Sequence, residues 1–436
     1  MSTTSTTTST TTSTTSASAP PATAATPATA ATGGSDPAIA GPPLLDVAAF
    51  DATTAEELRA RGSLKWTRFP QALGLWVAEM DLPLAPPVAQ ALHRAVDMPF
   101  IGYLSAEAKA AAREACAAWY ARATGWSPDP ARIHLMTDVL HSLDLLLGQV
   151  LPAGTETVVV TPAYMPFLYR PRVLERPFVT APARRDEDGT YRVDLDALDG
   201  ALRGGGRLLV LCNPWNPVGR VLTEVELREV AAVVEANDAL VFADEIHAPL
   251  VYDGVGHVPY ASLSDATAAH SVTATAASKA WNLAGLKCSA LVATHDDVHE
   301  RLLDLAPVLS DDPGTLGVVA MAAAYDDGEP FLRETLAYLD KNRAALADAL
   351  ARELPSARHT PPEGTYLAWV DLRGVRTGSG EELPEDLVTF FRERAGVALQ
   401  DGAACGAPGF VRLNIALPQP ILLDAVRAMA AAVAAA

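Results

Sequence analysis

Three short segments of this chain place reactive side chains directly after apolar runs: Asn213-Pro214-Trp215-Asn216-Pro217-Val218-Gly219, Asp244-Glu245-Ile246-His247, and Ser278-Lys279. Asp244 stands 28 residues after Asn216, and Lys279 stands 35 residues after Asp244. If the runs are parallel strands, all three segments meet at one carboxyl edge, where open α/β sheets bind ligands. Prolines and glycine at this density fix one loop conformation, and two asparagines there offer amide donors to a polar ring substituent. By itself the loop reads equally well as a proline-rich turn. With a carboxylate and a lysine at the same edge it suits a pyridine cofactor: the aspartate holds the ring nitrogen protonated, and the lysine amine forms a Schiff base.

The elements that must position these residues are Thr157 to Thr161, Leu208 to Cys212, Ala239 to Ala243, Ser271 to Thr275 and Ser289 to Thr294, separated by longer helical patterns. Strand and helix in alternation predict an α/β fold, a mostly parallel sheet flanked by helices. Thr223 and Glu226 have capping-box spacing, and Leu227, Val230, Ala231 and Val234 then fall on one helical face. From Phe331 to Leu354, leucines at three-to-four spacing mark a long amphipathic helix that is expected to connect two domains. Tyr366 to Leu372 and Val411 to Ile415 read as strands of a smaller α+β unit that ends in an alanine-rich helix. The expected organisation is a disordered tail over 1–44, an amino-terminal segment joining the small domain over 45–85, a large cofactor-binding domain over 86–325, and a small domain over 326–436.

Composition narrows the function. Lys+Arg number 33 against 52 Asp+Glu, a formal charge of −19, and no basic stripe is present. That argues against nucleic-acid partners and against an anionic membrane surface. The leucine-rich run from Val139 to Leu151 is broken by His141, Ser142, Asp144 and Gln149, and falls short of the ~18 apolar residues of a membrane span. Apart from Met1, every residue up to Thr32 is Ser, Thr, Ala or Pro, with neither the basic start nor the apolar block of an export signal. Cys116, Cys212, Cys288 and Cys405 form no CxxC pair and read as reduced thiols, so a cytoplasmic protein is expected. His134, His141, His257 and His270 show no ligand spacing, so no metal is expected. Asp186, Glu187 and Asp188 read as a solvated turn, and Asp311-Asp312 as a loop.

Beyond the tail, further motifs follow in order: Gly62-Ser63-Leu64-Lys65-Trp66, Leu75-Trp76-Val77-Ala78-Glu79-Met80-Asp81, Gly102-Tyr103, Pro162-Ala163-Tyr164-Met165-Pro166-Phe167, Ser278 to Leu286, Gly364-Thr365-Tyr366-Leu367 and Arg412-Leu413-Asn414. With these, the sequence resembles the fold-type I pyridoxal-phosphate enzymes, the aspartate-aminotransferase superfamily of class I/II. Within it, the chain is most similar to the cystathionine β-lyase and cysteine-conjugate C-S lyase branch. The resemblance implies a large domain with a mostly parallel sheet and a smaller α+β domain.

It also implies roles. Lys279 would carry pyridoxal 5'-phosphate, Asp244 would partner the pyridine nitrogen, and Asn216 would donate to the ring oxygen. His247 lies where many relatives have a tyrosine near that oxygen, and Tyr164 would stack on the ring. Ser278, Lys287 and the backbone amides of Val139 and Leu140 would hold the phosphate. Arg412 would clamp the substrate carboxylate, with Asn216 and Trp76 as further substrate contacts. Tyr103 matches a tyrosine that reaches the cofactor of a neighbouring subunit, so a homodimer with shared sites is implied.

Three departures from the family pattern bear on the site. Asp138 stands where relatives usually have glycine, beside the expected phosphate cup; Cys405-Gly406 replaces a Phe-Gly pair near the substrate pocket; and Lys287 replaces an arginine. Lys65 and Trp66 are expected in the segment that covers the site, with packing an equal role for Trp66. The expected activity is β-elimination from an L-cysteine conjugate such as cystathionine, giving thiol, pyruvate and ammonia. A class I/II aminotransferase is the alternative, needing the same lysine, aspartate, asparagine and arginine, and a cofactor-holding protein without turnover is a third.

Overall fold

The runs that end in the reactive residues lie side by side. The computed structural model describes residues 43–98, 101–306 and 313–436, so most of the predicted tail and the Asp311-Asp312 pair lie outside the described residues. Seven strands form the main sheet: β1 Ile133–Met136, β2 Glu156–Thr161, β3 Phe178–Pro182, β4 Gly206–Cys212, β5 Leu240–Asp244, β6 Ser271–Thr275 and β7 Ser289–Ala293. Their order is β1-β7-β6-β5-β4-β2-β3. β7 runs antiparallel to β1 and β6, and the other neighbours are parallel. β4, β5 and β6 are therefore adjacent, and their carboxyl ends present Asn213, Asp244 and the turn to Lys279 on one edge.

Side-chain alternation explains why helices cover both faces. Along β4, Leu209 and Leu211 join a buried cluster with Leu227 and Val230, while Leu208 and Val210 join another with Leu143 and Leu146. The crossover helix Glu224–Ala236 has both halves of the Thr223–Glu226 capping box, and its four predicted inward residues are all buried. Each buried leucine or valine there contributes roughly 1.5–3 kcal/mol.

Two strands escaped the sequence pattern. β1 is only four residues long and includes His134, and β3 is a partly exposed edge strand that ends in proline. Neither makes an uninterrupted apolar run.

A second, antiparallel sheet comprises β8 Arg358–His359, β9 Leu367–Asp371, β10 Gln400–Asp401 and β11 Phe410–Asn414, in the order β8-β9-β11-β10. It packs with the long helix Glu329–Glu353 and the terminal helix Gln419–Ala434 in one buried cluster. β11 carries Arg412. The strand Leu73–Gly74 pairs with Val397–Ala398, and the chain then continues along this sheet: Asn414 N donates to Leu75 O at 2.9 Å, and Asp81 N to Ala416 O at 3.0 Å. Residues 75–82 form a strap between the second sheet and the edge of the first. Among the described residues, no helix is long and apolar enough to cross a membrane.

Candidate active site

Asp244 ends β5 with strands on both sides, so its carboxylate is buried at the sheet edge. It lines a cavity of about 210 Å³ together with Ala78, Asp138, Val139, Leu140, Tyr164, Asn216, His247, Ser278, Lys279 and Lys287. Its Oδ1 accepts the Ile246 amide at 3.2 Å, and its Oδ2 accepts the Cys212 thiol at 3.5 Å. Burial pushes the carboxyl up to about 6, while the Ile246 amide, the Cys212 thiol and the Lys279 ammonium pull it down. A cationic ring nitrogen placed against it adds another opposite charge and favours the carboxylate.

Lys279 faces the cavity and is half-buried by exposed area, yet protein surrounds its amine closely. Nζ donates to Ala78 O at 2.9 Å. Desolvation, then the Arg412 cation, brings the amine down to about 8 against the pull of Asp244 and Glu79. An amine in that range is partly neutral near pH 7, as a nucleophile or general base must be.

Two further lining side chains, His247 and Tyr164, are polar and uncharged. His247 is buried, and desolvation followed by the cations of Lys279 and Arg412 holds it well below the usual imidazole range. Its Nδ1 is buried without a hydrogen-bond partner. Tyr164 stands edge-on to Phe167 at 5.5 Å between ring centroids, and burial pushes its hydroxyl up to about 12, so it is a neutral phenol.

The asparagine loop divides its labour. Asn213 Oδ1 accepts the Leu222 amide at 2.9 Å and so braces the loop. Asn216 faces the cavity, and its Oδ1 accepts Arg412 Nη1 at 2.9 Å, which leaves Nδ2 to donate elsewhere. Gly219 has φ +77°, and a Cβ there would meet Pro362 Cβ at 2.5 Å, so glycine is required where the loop turns back. Arg412 is buried; Nη2 donates to Trp76 O at 3.1 Å, and Nε has no partner.

Val139 and Leu140 open the helix Val139–Leu145, whose first amides lack intrahelical acceptors. Asp138 caps it. Its Oδ1 accepts the His141 amide at 2.8 Å, and its Oδ2 accepts Lys287 Nζ at 3.0 Å. Burial raises the Asp138 carboxyl, but the His141 amide and Lys287 outweigh it and hold the group below the usual carboxylate range. The carboxylate that stands in place of glycine is thus both helix cap and lysine tether.

Not every expected residue reaches the cavity. Tyr103 is fully exposed on this single chain. Trp76 contributes its carbonyl to Arg412, while its indole Nε1 donates to Lys65 O at 3.1 Å, so its side chain is outside the cavity lining. Cys405 is also outside the lining and packs in a buried cluster with Trp215, Trp369 and Phe410. The sequence reading missed Ala78, Thr137, Phe167 and Ile246 in the lining, as well as Asn414, which donates to Val77 O and Glu79 O at 2.7 and 2.6 Å. Only the quoted motifs around Ala78, Phe167, Ile246 and Asn414 pointed near them.

Comparison with known proteins agrees with this architecture. Residues 71–428 match the family described as aminotransferase class I and II. A cystathionine beta-lyase of Corynebacterium glutamicum is 36% identical over 379 residues, covering 86% of this chain and 98% of the relative. A cystathionine beta-lyase of Bacillus subtilis is 31% identical, with 86% and 98% covered. Among solved structures, a putative PLP-dependent beta-cystathionase from Corynebacterium diphtheriae superposes with a TM-score of 0.80 at 37% identity, covering 87% of this chain and 98% of that one. With sheet order, site geometry and sequence in agreement, this chain belongs to the aminotransferase class I and II family, in its fold-type I, C-S lyase branch.

Proposed function

We propose that this chain is a pyridoxal 5'-phosphate-dependent C-S β-lyase that cleaves L-cystathionine or another L-cysteine S-conjugate to thiol, pyruvate and ammonia. The observation that carries this reading is the convergence of Lys279, Asp244 and Asn216 on one cavity, with Arg412 behind its lining and hydrogen-bonded to Asn216, in a chain 36% identical to a cystathionine beta-lyase. The cavity fits the cofactor: Asp244 offers a buried carboxylate, and His247 Nδ1 and Arg412 Nε are buried polar atoms still without partners.

When bound, pyridoxal phosphate supplies a carbonyl that condenses with amines and a conjugated ring that accepts electron density from the substrate α-carbon. Asp244 would keep the ring nitrogen protonated, Asn216 Nδ2 would donate to the ring oxygen, and Tyr164 and His247 would contact the ring. Ser278, Lys287 and the amides of Val139 and Leu140 hold the phosphate. Arg412 orients the substrate through its carboxylate. Lys279 would be the residue that holds the cofactor's carbonyl, and its Nζ, neutral in part near pH 7, would be the base for the substrate α-proton.

The test is L-cystathionine supplied without a keto acid. Continuous release of free thiol and pyruvate is expected. A single-turnover conversion to the pyridoxamine form, reversed by 2-oxoglutarate or pyruvate, would make the enzyme an aminotransferase instead.

The reading extends to assembly and location. Tyr103 is fully exposed on the single chain, and Met98 and Ile101 are exposed too, consistent with a site completed by a second copy of this chain in a homodimer. The division into large and small domains at residues 325 and 326, and a cytoplasmic location with four reduced cysteines, belong to the same proposal.

Asp138 yields a prediction about the phosphate cup. Its carboxylate opposes each unit of negative charge on a bound phosphate by about 1 kcal/mol at ~4 Å in solvent-like surroundings. Asp138→Asn keeps an oxygen acceptor for the helix cap and releases Lys287, so titration of the apoenzyme with pyridoxal phosphate is expected to show binding tighter by about five-fold. Weaker binding would mean that the tether places Lys287 usefully.

A further inference from the structure

Four consecutive main-chain carbonyls of the strap accept hydrogen bonds from side chains in or beside the site. Trp76 O accepts from Arg412 at 3.1 Å, Val77 O from Asn414 at 2.7 Å, Ala78 O from Lys279 at 2.9 Å, and Glu79 O from Asn414 at 2.6 Å. The strap backbone therefore sets where the amine of Lys279 and the guanidinium of Arg412 stand.

A fully buried lysine holds the strap. Lys65 Nζ donates to Asp81 Oδ2 at 2.8 Å, to Glu79 O at 3.2 Å and to Ala416 O at 3.2 Å. These three acceptors match the three donors of an ammonium group. The second oxygen of Asp81 accepts Trp66 Nε1 at 2.8 Å, and Trp76 Nε1 returns to Lys65 O at 3.1 Å. Close backbone approach completes the lock: a Cβ on Gly74 would lie 2.4 Å from Lys65 O. A buried ion pair is a poor way to gain stability, because well-packed apolar residues commonly do as well or better. What it does give is directional contact, and here every contact ends on the strap, on its anchor Asp81 or on Ala416 just past β11.

We propose that Lys65, through its buried pair with Asp81, is a positioning residue that pins the strap so that Ala78 O holds the Lys279 amine and Trp76 O holds the Arg412 guanidinium at their working places. The proposal rests on Lys279 being the reacting amine. Loosening the strap admits water beside Lys279, relieves its desolvation and makes it more basic. The charged and titratable groups around that amine are Arg412, Asp244, Glu79 and His247, and those around Lys65 are Asp81 and Glu79. A base that must be neutral then works only at higher pH.

The experiment is the double variant Lys65→Met/Asp81→Asn, which removes both charges together, studied as the cofactor-loaded enzyme. The bound cofactor's visible absorption is expected to persist. kcat is expected to fall by about 10- to 100-fold, as misplacements of about 1 Å do, with the acidic limb of its pH profile moved up by about half a unit or more. A folded variant whose kcat and pH profile superimpose on wild type, even with a lower melting temperature, overturns the proposal by making the pair purely structural. If the double variant does not fold, Trp66→Phe, which removes one hydrogen bond to Asp81, is read by the same profile. It is expected to move it in the same direction with about a three-fold loss of kcat, and superposition overturns the proposal. Lys279→Ala separates the two levels: a fully active Lys279→Ala refutes the underlying assignment, whereas an inactive one beside a wild-type-like strap variant refutes only the role of Lys65.

Discussion

Lys279→Ala is expected to lower kcat by about 10^4-fold or more, because it removes both the proposed covalent attachment and the proposed general base. It should also abolish the visible absorption band that the bound cofactor owes to its bond with this amine. The magnitude follows from the setting. The amine is brought down to about 8 by burial and by the Arg412 cation, so a useful fraction is neutral near pH 7, and Ala78 O holds it at 2.9 Å. No other described lysine lines the cavity apart from Lys287, whose Nζ is paired with Asp138 at 3.0 Å, so no substitute base of the same kind stands ready. A small primary amine added to the variant should restore part of the proton transfer without restoring the covalent attachment. The absorbance spectrum and the steady-state rate are the measurements, and a variant that retains the band would place the attachment on another residue.

The meeting of particular strand ends at one edge was legible in the sequence. Asn216, Asp244 and Lys279 combine a reactive type with a place just after an apolar run, and the adjacency of β4, β5 and β6 turns that order into proximity. Arg412 and His247 were reachable only through the resemblance, since nothing in their local pattern separates them from an ion-paired arginine or a core histidine. The capping box and the buried face of Glu224–Ala236 were fully legible because both depend on spacing within one helix.

Contacts made by main-chain atoms were not legible. Every residue carries a carbonyl, so nothing in the types of Trp76, Val77, Ala78 and Glu79 reveals that their oxygens receive Arg412, Asn414 and Lys279. Lys65 is hidden for a related reason. A lysine in sequence reads as a solvated surface residue, and its burial appears only when Asp81 and the Glu79 and Ala416 carbonyls are brought around it. Asp138 was visible as a departure from the family pattern, but its double use required the fold, because Lys287 lies 149 residues away in sequence. The indole hydrogen bond of Trp76 to Lys65 O was likewise hidden, because its acceptor is a main-chain oxygen.

Arg412→Met is expected to lower kcat/KM by about 10^2- to 10^3-fold, the range for losing one partner of a desolvated, charge-assisted bidentate contact. Most of the loss should appear in KM, since the guanidinium is assigned to the substrate carboxylate. The substitution also strips donors from Asn216 Oδ1 and Trp76 O, both of which now accept from it. A second effect follows from charge. After desolvation, Arg412 is the largest influence lowering the Lys279 amine. Removing a neighbouring cation favours the protonated amine, so its pKa rises above about 8, and the acidic limb of the kcat profile must move to higher pH. Arg412→Lys tests the two effects independently. It keeps the positive charge but not the planar fork, so the rise in KM should largely persist while the acidic limb stays near its wild-type position. If Arg412→Lys instead moves the limb as far as Arg412→Met does, then the guanidinium acts on Lys279 through the placement of the strap and not through its charge.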